Sequence, residues 1–262
     1  MIKVSQGNID CEVKSFVFSG GEVSVSLPDK LDYKSPVQIT SHIKTSDDIM
    51  KLLMLNDAIK RHGSAIEVSL VMPYIPYARQ DRVCNQGEAL SIKVFCDLIN
   101  SCNFESVVVY DPHSDVAPAL LDNVIVVDIK ALVSYNKFKW EDDYKSAVIV
   151  APDAGSNKKV ASVCKLLGKD SFIRADKVRE LSTGNITDTV IYANDLKGQN
   201  CLIIDDICDG GRTFIELGKK LKEKGAGRVG LFVTHGIFSK GKEVFDGAID
   251  DVYSAFDWTE IK

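Results

Sequence analysis

Apolar positions along this chain form short runs that alternate with longer segments of helical period. The short runs are rich in Val and Ile, which is typical of buried strands. They are EVSVSL (22–27), PVQITSHI (36–43), IEVSLVMPY (66–74), NCLIIDDI (200–207), RVGLFVTHG (228–236) and DDVYSAF (250–256), and further strands open 106–115, 123–133 and 147–168. Apolar residues spaced by three and four predict helices over 45–63, 88–102 and 214–225.

Repeated alternation of strand and helix predicts the α/β class, with two doubly wound domains built on mostly parallel sheets. The segment NKFKWEDDYKS (136–146) is polar and lacks a clear period, so we interpret it as the connection between the two halves. The expected domains are therefore an N-terminal one over residues 1–140 and a C-terminal one over residues 141–262.

Composition narrows the function classes. The 262 residues are 45% apolar and 26% charged, with a formal net charge of −5 and no long basic block, which argues against nucleic-acid binding. The seven cysteines occur singly and form no CxxC pair, as expected for reduced thiols. The opening residues contain no apolar signal core, and no run of about 20 apolar residues occurs. We expect a cytoplasmic protein that contacts no membrane.

The stretch CLIIDDICDGGRTF (201–214) combines an apolar strand, paired acids, two glycines and the start of a helix. A tight turn with Asp209 as helix N-cap is one interpretation. It leaves the adjacent carboxylates of Asp205 and Asp206 unexplained, because they repel each other unless a cation or hydroxyl groups lie beside them. Ligands of open α/β sheets bind at the carboxyl ends of strands. A phosphate bound at the helix start, with sugar hydroxyls or Mg²⁺ bound by the acids, would give each of these residues a role.

Four further polar loops follow predicted strands. PYIPYARQDR (73–82) offers Arg79 and Arg82 as bidentate phosphate ligands and Gln80 and Asp81 for a base or ribose edge. The other candidates are His113 in DPHSD (111–115), Asp153 in APDAGSNKK (151–159), and Lys177 and Arg179 in RADKVRE (174–180). Lys177 and Arg179 share a face only if their segment is extended. Singly, the last three loops are compatible with ordinary surface turns; jointly they predict a Mg²⁺-polyphosphate site beside a sugar-phosphate site.

Together these motifs resemble the ribose-phosphate pyrophosphokinases, or PRPP synthetases. The resemblance rests on PYIPYARQDR, DPHSD, APDAGSNKK, DKVR, LIIDDICDGGRT and THGIFSKG (234–241), and it extends upstream to FSGGEVSVSL (18–27). It covers nearly the whole chain, and PYARQDR followed by the DDxxD loop is a specific signature. It implies type I phosphoribosyltransferase-like domains, with the ATP loop in the N-terminal one and the ribose-phosphate loop in the C-terminal one.

The resemblance also implies a role for each candidate residue. ATP binding is expected at Phe18, Glu22, Arg79, Gln80, Asp81 and His113. Ribose-phosphate binding is expected at Asp205, Asp206, Asp209, Gly210, Gly211, Arg212 and Thr213. Mg²⁺, the expected cofactor, would be served by His113 and Asp153, while Lys177 and Arg179 match the catalytic flap.

The implied reaction moves an intact diphosphate. The anomeric 1-hydroxyl of ribose 5-phosphate attacks the β-phosphorus of Mg·ATP in line, and AMP leaves. Such chemistry requires positioning and charge neutralisation more than a covalent nucleophile. Because the family's FSxGE loop reaches into a neighbouring subunit, the resemblance implies a homo-oligomer, either a dimer or a hexamer.

Three departures from the family bear on the acceptor and on assembly. Gly210 lacks the hydroxyl that commonly contacts the 5-phosphate, and Arg212 adds a cation. Both changes would suit a 5-phosphate that carries a further group, as in ADP-ribose, although neutral drift explains them equally. Gly20 replaces an acid near the adenine site, and the sequence lacks the family's last strand and helix, so part of the usual hexamer contacts and regulatory site is in doubt.

Two other function classes remain open on the sequence. A phosphoribosyltransferase shares the DDxxD loop, but the ARQD loop and the flap cations Lys177 and Arg179 argue against it. A non-catalytic regulatory subunit is disfavoured because those cations, His113 and Asp153 are all present.

Overall fold

The computed structural model describes residues 1–28, 30–32, 34–136, 140–179 and 186–260; the side chains of residues 141, 177–179 and 186–188 lie outside that description. The chain divides into two compact units, Met1–Val127 and Asp128–Glu260. The boundary expected after residue 140 falls later along the chain than this division.

The first unit is built on a six-stranded sheet in the order β2-β1-β5-β6-β7-β8, with a separate hairpin of β3 and β4. The strands are β1 (Ile2–Gln6), β2 (Ile9–Cys11), β3 (Lys14–Val17), β4 (Val23–Ser26), β5 (Val37–Ser41), β6 (Val68–Val71), β7 (Ser106–Tyr110) and β8 (Val124–Val127). Its helices are α1 (Ser46–His62), α2 (Ser91–Ser101) and α3 (Val116–Leu120). Strands β5 to β8 pair in parallel, whereas β1 pairs with its neighbours antiparallel.

The second unit holds a six-stranded sheet in the order β11-β10-β9-β12-β13-β14. Its strands are β9 (Val148–Ala151), β10 (Ile173–Arg179), β11 (Ile186–Ile191), β12 (Cys201–Cys208), β13 (Val229–Gly236) and β14 (Asp251–Asp257). Its helices are α4 (Ile129–Asn136), α5 (Glu141–Tyr144), α6 (Asn157–Leu166) and α7 (Arg212–Glu223). Only the β10–β11 pair is antiparallel among the strand pairs described in this unit.

Adjacent residues of β12 point into different cores, which makes this sheet doubly wound. Ile203 packs in one cluster with Leu217 of α7, whereas Ile204 packs in another with Val160 of α6. Successive side chains of a strand alternate between the faces of a sheet, so helices cover both faces. The α/β class with mostly parallel sheets is thus confirmed.

Three parts of the chain differ from the sequence analysis. Strands β1 to β3 had no predicted counterpart, because runs of three to five residues carry a weak periodic signal. Strands β10 and β11 had none either, since their segment was interpreted only as a polar loop that could be extended. The segment interpreted as an inter-domain connection instead adds Trp140 and Tyr144 to a core of the second unit. Tyr144 also donates a hydrogen bond to Asp251 at 2.5 Å. Sparse aromatic residues in a polar segment show no period, so pattern analysis did not detect this packing.

The first helix follows its sequence signals closely. Thr45 caps α1 in a reciprocal capping box with Asp48, and Gly63 follows its last turn. Among the residues described, no helix is both long and apolar enough to cross a bilayer.

Candidate active site

In the first unit, two loops that follow neighbouring parallel strands lie side by side. Residues 73–82 follow β6, and residues 111–115 follow β7. The backbone N–H of Tyr110 donates to Pro73 O at 3.1 Å, which joins the starts of the two loops. Parallel strands end at the same edge of a sheet, so this arrangement follows from the topology.

Asp81 connects these loops through its side chain. Its carboxylate, only 8% exposed, accepts a hydrogen bond from Arg82 Nε at 3.1 Å and another from the side chain of Ser114. Burial raises the pKa of this carboxyl, but the bonds from Ser114 and Arg82 and the nearby charge of His113 outweigh burial and lower it overall. Asp81 is therefore ionised at neutral pH and close to His113.

The remaining ATP candidates of this unit are accessible. Arg79 and Gln80 are exposed in the same loop, and the Gln80 backbone N–H donates to Tyr77 O at 2.8 Å. Phe18 and Glu22 belong to the β3–β4 hairpin, where Phe18 N–H donates to Glu22 O at 2.8 Å. The Phe18 ring is 52% exposed. An accessible aromatic face and accessible hydrogen-bonding groups are what nucleotide recognition requires.

In the second unit, the carboxylates of Asp205 and Asp206, in the second half of β12, and of Asp153, just after β9, form one electrostatic cluster. Burial raises the pKa of Asp205 well above its ordinary value, and the charges of Asp206 and Asp153 raise it further. The backbone N–H of Asp206 donates to Asp205 Oδ1 at 3.0 Å. The sequence-based inference that these acids require a cation or hydroxyl partner agrees with this geometry.

Lys159 supplies part of the charge compensation. Its Nζ lies 3.3 Å from Asp206 Oδ2, and the two side chains are 24% and 8% exposed. Lys159 belongs to the motif 151–159, but the sequence alone assigns it no role. The sequence shows a cation near the start of a helix that follows β9. Only the strand order shows that β9 is adjacent to β12 and its acids.

Asp153 organises the turn that precedes α6. Its Oδ1 accepts a hydrogen bond from Ser156 N at 3.1 Å, and the Ser156 hydroxyl donates back to Asp153 O at 2.8 Å. Within the described residues, no three or more His, Cys, Asp or Glu side chains are arranged as a metal site.

The loop between β12 and α7 presents a helix start without a side-chain cap. The N-cap of α7 is Gly211 at φ +77°, which makes no side-chain cap hydrogen bond. The interpretation of Asp209 as N-cap is therefore wrong, because the helix begins only at Arg212. The backbone N–H groups of a first helical turn have no intrahelical partners, so this end is suited to an anion.

Gly211 is required by this geometry. Apart from its positive φ, a Cβ at this position would lie 2.7 Å from Cζ of Phe245. Gly210, by contrast, has room for a Cβ, whose nearest neighbours would be side-chain carbons of Lys240 at 3.6 Å. Arg212 is exposed, and its Nε contacts Glu216 Oε1 at 2.8 Å.

Lys177 and Arg179 lie in β10, so their backbone is extended, as the flap interpretation requires. A register shift occurs in the pairing with β11 between Val178 and Arg179. Both candidate side chains lie outside the described part of the structure. Their assignment therefore stays a prediction.

Comparison with known proteins identifies related chains over both units. Residues 3–102 match the model described as the N-terminal domain of ribose phosphate pyrophosphokinase, and residues 117–258 match the phosphoribosyl transferase domain. The chain is 33% identical to the ribose-phosphate pyrophosphokinase of Mycoplasmopsis pulmonis, with 92% of this chain and 74% of that protein covered. Against the Campylobacter jejuni enzyme of the same name, identity is 32%, with 90% and 75% covered.

A solved structure shares the fold over most of both chains. It is the phosphoribosylpyrophosphate synthetase from Mycobacterium smegmatis, with a TM-score of 0.77 and 23% identity over 93% of this chain and 80% of that one. This match and the phosphoribosyl transferase domain model bear out the expected fold of both units.

Proposed function

Because this chain belongs to the ribose-phosphate pyrophosphokinase family, we propose that it transfers the β,γ-diphosphate of Mg·ATP to the 1-hydroxyl of ribose 5-phosphate, giving PRPP and AMP. It is an enzyme of the diphosphotransferase type, as its relatives over more than 90% of the chain indicate. The observation that carries the proposal is the acid pair Asp205–Asp206 in β12, the strand whose loop leads into the uncapped start of α7. The vicinal hydroxyls of a ribose can donate hydrogen bonds to the two carboxylates. Its 5-phosphate can accept hydrogen bonds from the N–H groups at the helix start.

ATP would be bound by the first unit. The exposed Arg79 and Gln80 would contact the nucleotide, while Asp81 holds their loop against residues 111–115. Phe18 and Glu22, on a separate hairpin, would contribute an aromatic face and an acceptor. These residues do no bond-making; they orient the nucleotide so that its β-phosphorus is presented to the attacking oxygen.

The acceptor would be bound by the second unit. The carboxylate oxygens of Asp205 and Asp206 would accept hydrogen bonds from the ribose hydroxyls, while N–H groups from residues 209–213 would bind the 5-phosphate. Lys159 Nζ, 3.3 Å from Asp206 Oδ2, would hold that carboxylate in position for this purpose. Lys177 and Arg179 would neutralise charge that develops on the transferring group.

His113 in the first unit and Asp153 in the second are the candidate ligands of Mg²⁺, which neutralises polyphosphate charge when bound. We expect His113→Ala and Asp153→Ala to raise the Mg²⁺ concentration that half-maximal activity requires, without unfolding the protein. Metal titrations identical to wild type would contradict this assignment.

The main experiment incubates the protein with Mg·ATP and ribose 5-phosphate, then follows AMP release and product mass. We expect AMP only when the acceptor is present, together with a product heavier than ribose 5-phosphate by one diphosphate. AMP release that does not depend on the acceptor, or no AMP at all, would refute the proposed reaction.

ADP-ribose is a second candidate acceptor, favoured by the lack of a side chain at Gly210, whose neighbours here are the side chains of Lys240 and Ser239. A diphosphate ester is bulkier than a terminal phosphate and carries a second anionic group for the exposed Arg212. The product would be ADP-ribose 1-pyrophosphate, a compound suited to NAD synthesis. Gly210→Thr with Arg212→Gly should then shift kcat/KM toward ribose 5-phosphate. If wild type ignores ADP-ribose and the double variant changes neither ratio, this alternative fails.

We also expect a homo-oligomer, a dimer or a hexamer, in the cytoplasm. The hairpin of β3 and β4 exposes Phe16, Val17 and Phe18, each more than half accessible. Exposed apolar clusters of this kind often mark interfaces between subunits. Light scattering on the wild type and on Phe16→Ser/Phe18→Ser would test assembly; a monomeric wild type would refute it.

A further inference from the structure

The loop that follows β13 runs along the proposed phosphate loop of the second unit. The backbone N–H of Phe238 donates to Cys208 O at 3.2 Å, and that of Ser239 donates to Asp209 O at 3.2 Å. These bonds hold residues 237–241, the second half of THGIFSKG, beside the residues that precede α7. The sequence analysis quoted this motif without assigning it a role.

Lys240 extends from this loop over Gly210. A Cβ at Gly210 would lie 3.6 Å from both Cδ and Cε of Lys240, so the lysine stem occupies the space that a side chain at position 210 would use. The ammonium is one bond beyond Cε. Because Gly210 has no side chain, the Lys240 stem can lie over it and place its ammonium group at the edge of the loop.

The charges around the loop distinguish Lys240 from its cationic neighbours. Arg212 is engaged by Glu216 at 2.8 Å, and Lys242 by Asp257 at 2.5 Å. Across the residues that the structure describes, no carboxylate forms an ion pair with Lys240. Since holding an exposed lysine in place has an entropic cost, a cation without an acid partner beside an uncapped helix start is best suited to an anionic ligand.

We propose that Lys240 binds the phosphate group on O5 of the acceptor ribose, whether this group is a monoester or part of a diphosphate. The inference rests on the proposed function for its ligand, and it goes further by naming a residue outside the loop that precedes α7. Lys240 contributes to acceptor affinity and leaves ATP recognition to the first unit. Because the Lys240 stem is flexible, it can move aside for a further group on the acceptor's 5-phosphate, whereas a short side chain fixed at position 210 would exclude that group.

The test compares Lys240→Met, which keeps the stem and removes the charge, with Lys219→Met, an exposed lysine on α7 that undergoes the same charge change. Calorimetry measures binding of ribose 5-phosphate and of ADP-ribose to the full chain without ATP, and AMP release measures KM and kcat. We expect Lys240→Met to weaken acceptor binding about tenfold, the usual effect of losing one charge-assisted hydrogen bond. KM for ATP and kcat should stay within about twofold of wild type, and Lys240→Arg should restore most of the affinity.

The two acceptors distinguish the source of the phosphate. A loss confined to ADP-ribose assigns Lys240 to the diphosphate, and a loss with both acceptors assigns it to the phosphate on O5. Acceptor affinities within twofold of the Lys219→Met control overturn the inference. If wild type binds an acceptor but never releases AMP, the proposed reaction fails while the calorimetry still decides on Lys240. If wild type binds neither compound, both fall.

Coupling to position 210 gives an independent readout. Gly210→Val adds bulk without a hydroxyl and should displace the lysine stem, so it should weaken acceptor binding in the wild-type background and much less in Lys240→Met. Additive effects of the two substitutions would contradict the contact on which the inference depends.

Discussion

Replacing Lys159 with Met removes the cation that compensates the buried carboxylate of Asp206. The Lys159 Nζ lies 3.3 Å from Asp206 Oδ2, and Asp205 directly precedes Asp206 in the same strand. Methionine keeps the length of the stem, so the packing of α6 changes little. The variant therefore isolates the loss of one positive charge beside two acids.

The size of the effect follows from the accessibility of the pair. Breaking a fully buried ion pair by removing one partner costs about 3–5 kcal/mol, whereas an exposed pair contributes about 0.2–1 kcal/mol. The Asp206 side chain is 8% exposed and that of Lys159 24%, which places this pair nearer the buried limit. We expect a loss of about 2–3 kcal/mol, or roughly 6–12 °C in Tm for a unit of this size.

The loss should depend on pH. Burial and the adjacent Asp205 both disfavour the charged form of Asp206, and the variant loses a cation that favours it. Protonation of the acids at low pH relieves this repulsion in the native state, so the stability lost in the variant should grow as pH rises. The difference from wild type should therefore be largest at pH 8 and decrease toward pH 4.

Thermal unfolding followed by circular dichroism at both pH values measures these differences. Lys158→Met is the matched control, since it removes the same charge from an exposed neighbour on α6. Lys159→Arg should retain most of the stability, and Asp206→Asn in the Lys159→Met background should recover much of the loss. If Lys159→Met unfolds within about 2 °C of Lys158→Met at pH 8, the pair has no compensating role and the reasoning is refuted.

Three further predictions follow from the same loops. Lys177→Ala and Arg179→Ala should each lower kcat about 100-fold or more with little change in ATP binding, because they act in the transition state; unchanged turnover of the double variant would remove the flap assignment. Gly211→Ala should lower the free energy of unfolding in urea by roughly 2 kcal/mol or more, because φ is +77° and the new Cβ would lie 2.7 Å from Cζ of Phe245. Gly210→Ala, whose Cβ would lie 3.6 Å from its nearest neighbour, is the near-neutral control. Equal losses in the two variants would contradict this reasoning. Burial and neighbouring acids raise the pKa of Asp205, so the native state loses stability as pH rises through that pKa. Asp205→Asn should therefore be more stable than wild type at pH 8 and lose that advantage toward pH 4. It should also bind the acceptor less well. A stability difference that does not vary with pH would refute the last of these.

Local sequence was sufficient for the central strands and the main helices and for the loops that carry chemistry, but not for β1 to β3, β10 and β11. Periods of two and 3.6 residues reflect neighbours along one element, so α1 and the apolar strands were predicted close to their observed bounds. Once parallel strands are inferred, their carboxyl ends must lie at one edge of a sheet, which is why residues 73–82 and 111–115 could be expected together. The recognisable motifs then supplied the family.

Contacts between distant side chains depended on tertiary structure. The pairing of Lys159 with Asp206 requires β9 and β12 to be neighbours although β10 and β11 intervene in sequence. Likewise, Lys240 covers Gly210 only because the loops after β12 and β13 run side by side. Strand order and register determine such contacts, and both depend on how whole elements pack around a common core. No local pattern contains that information, because burial and charge compensation are properties of the assembled sheet.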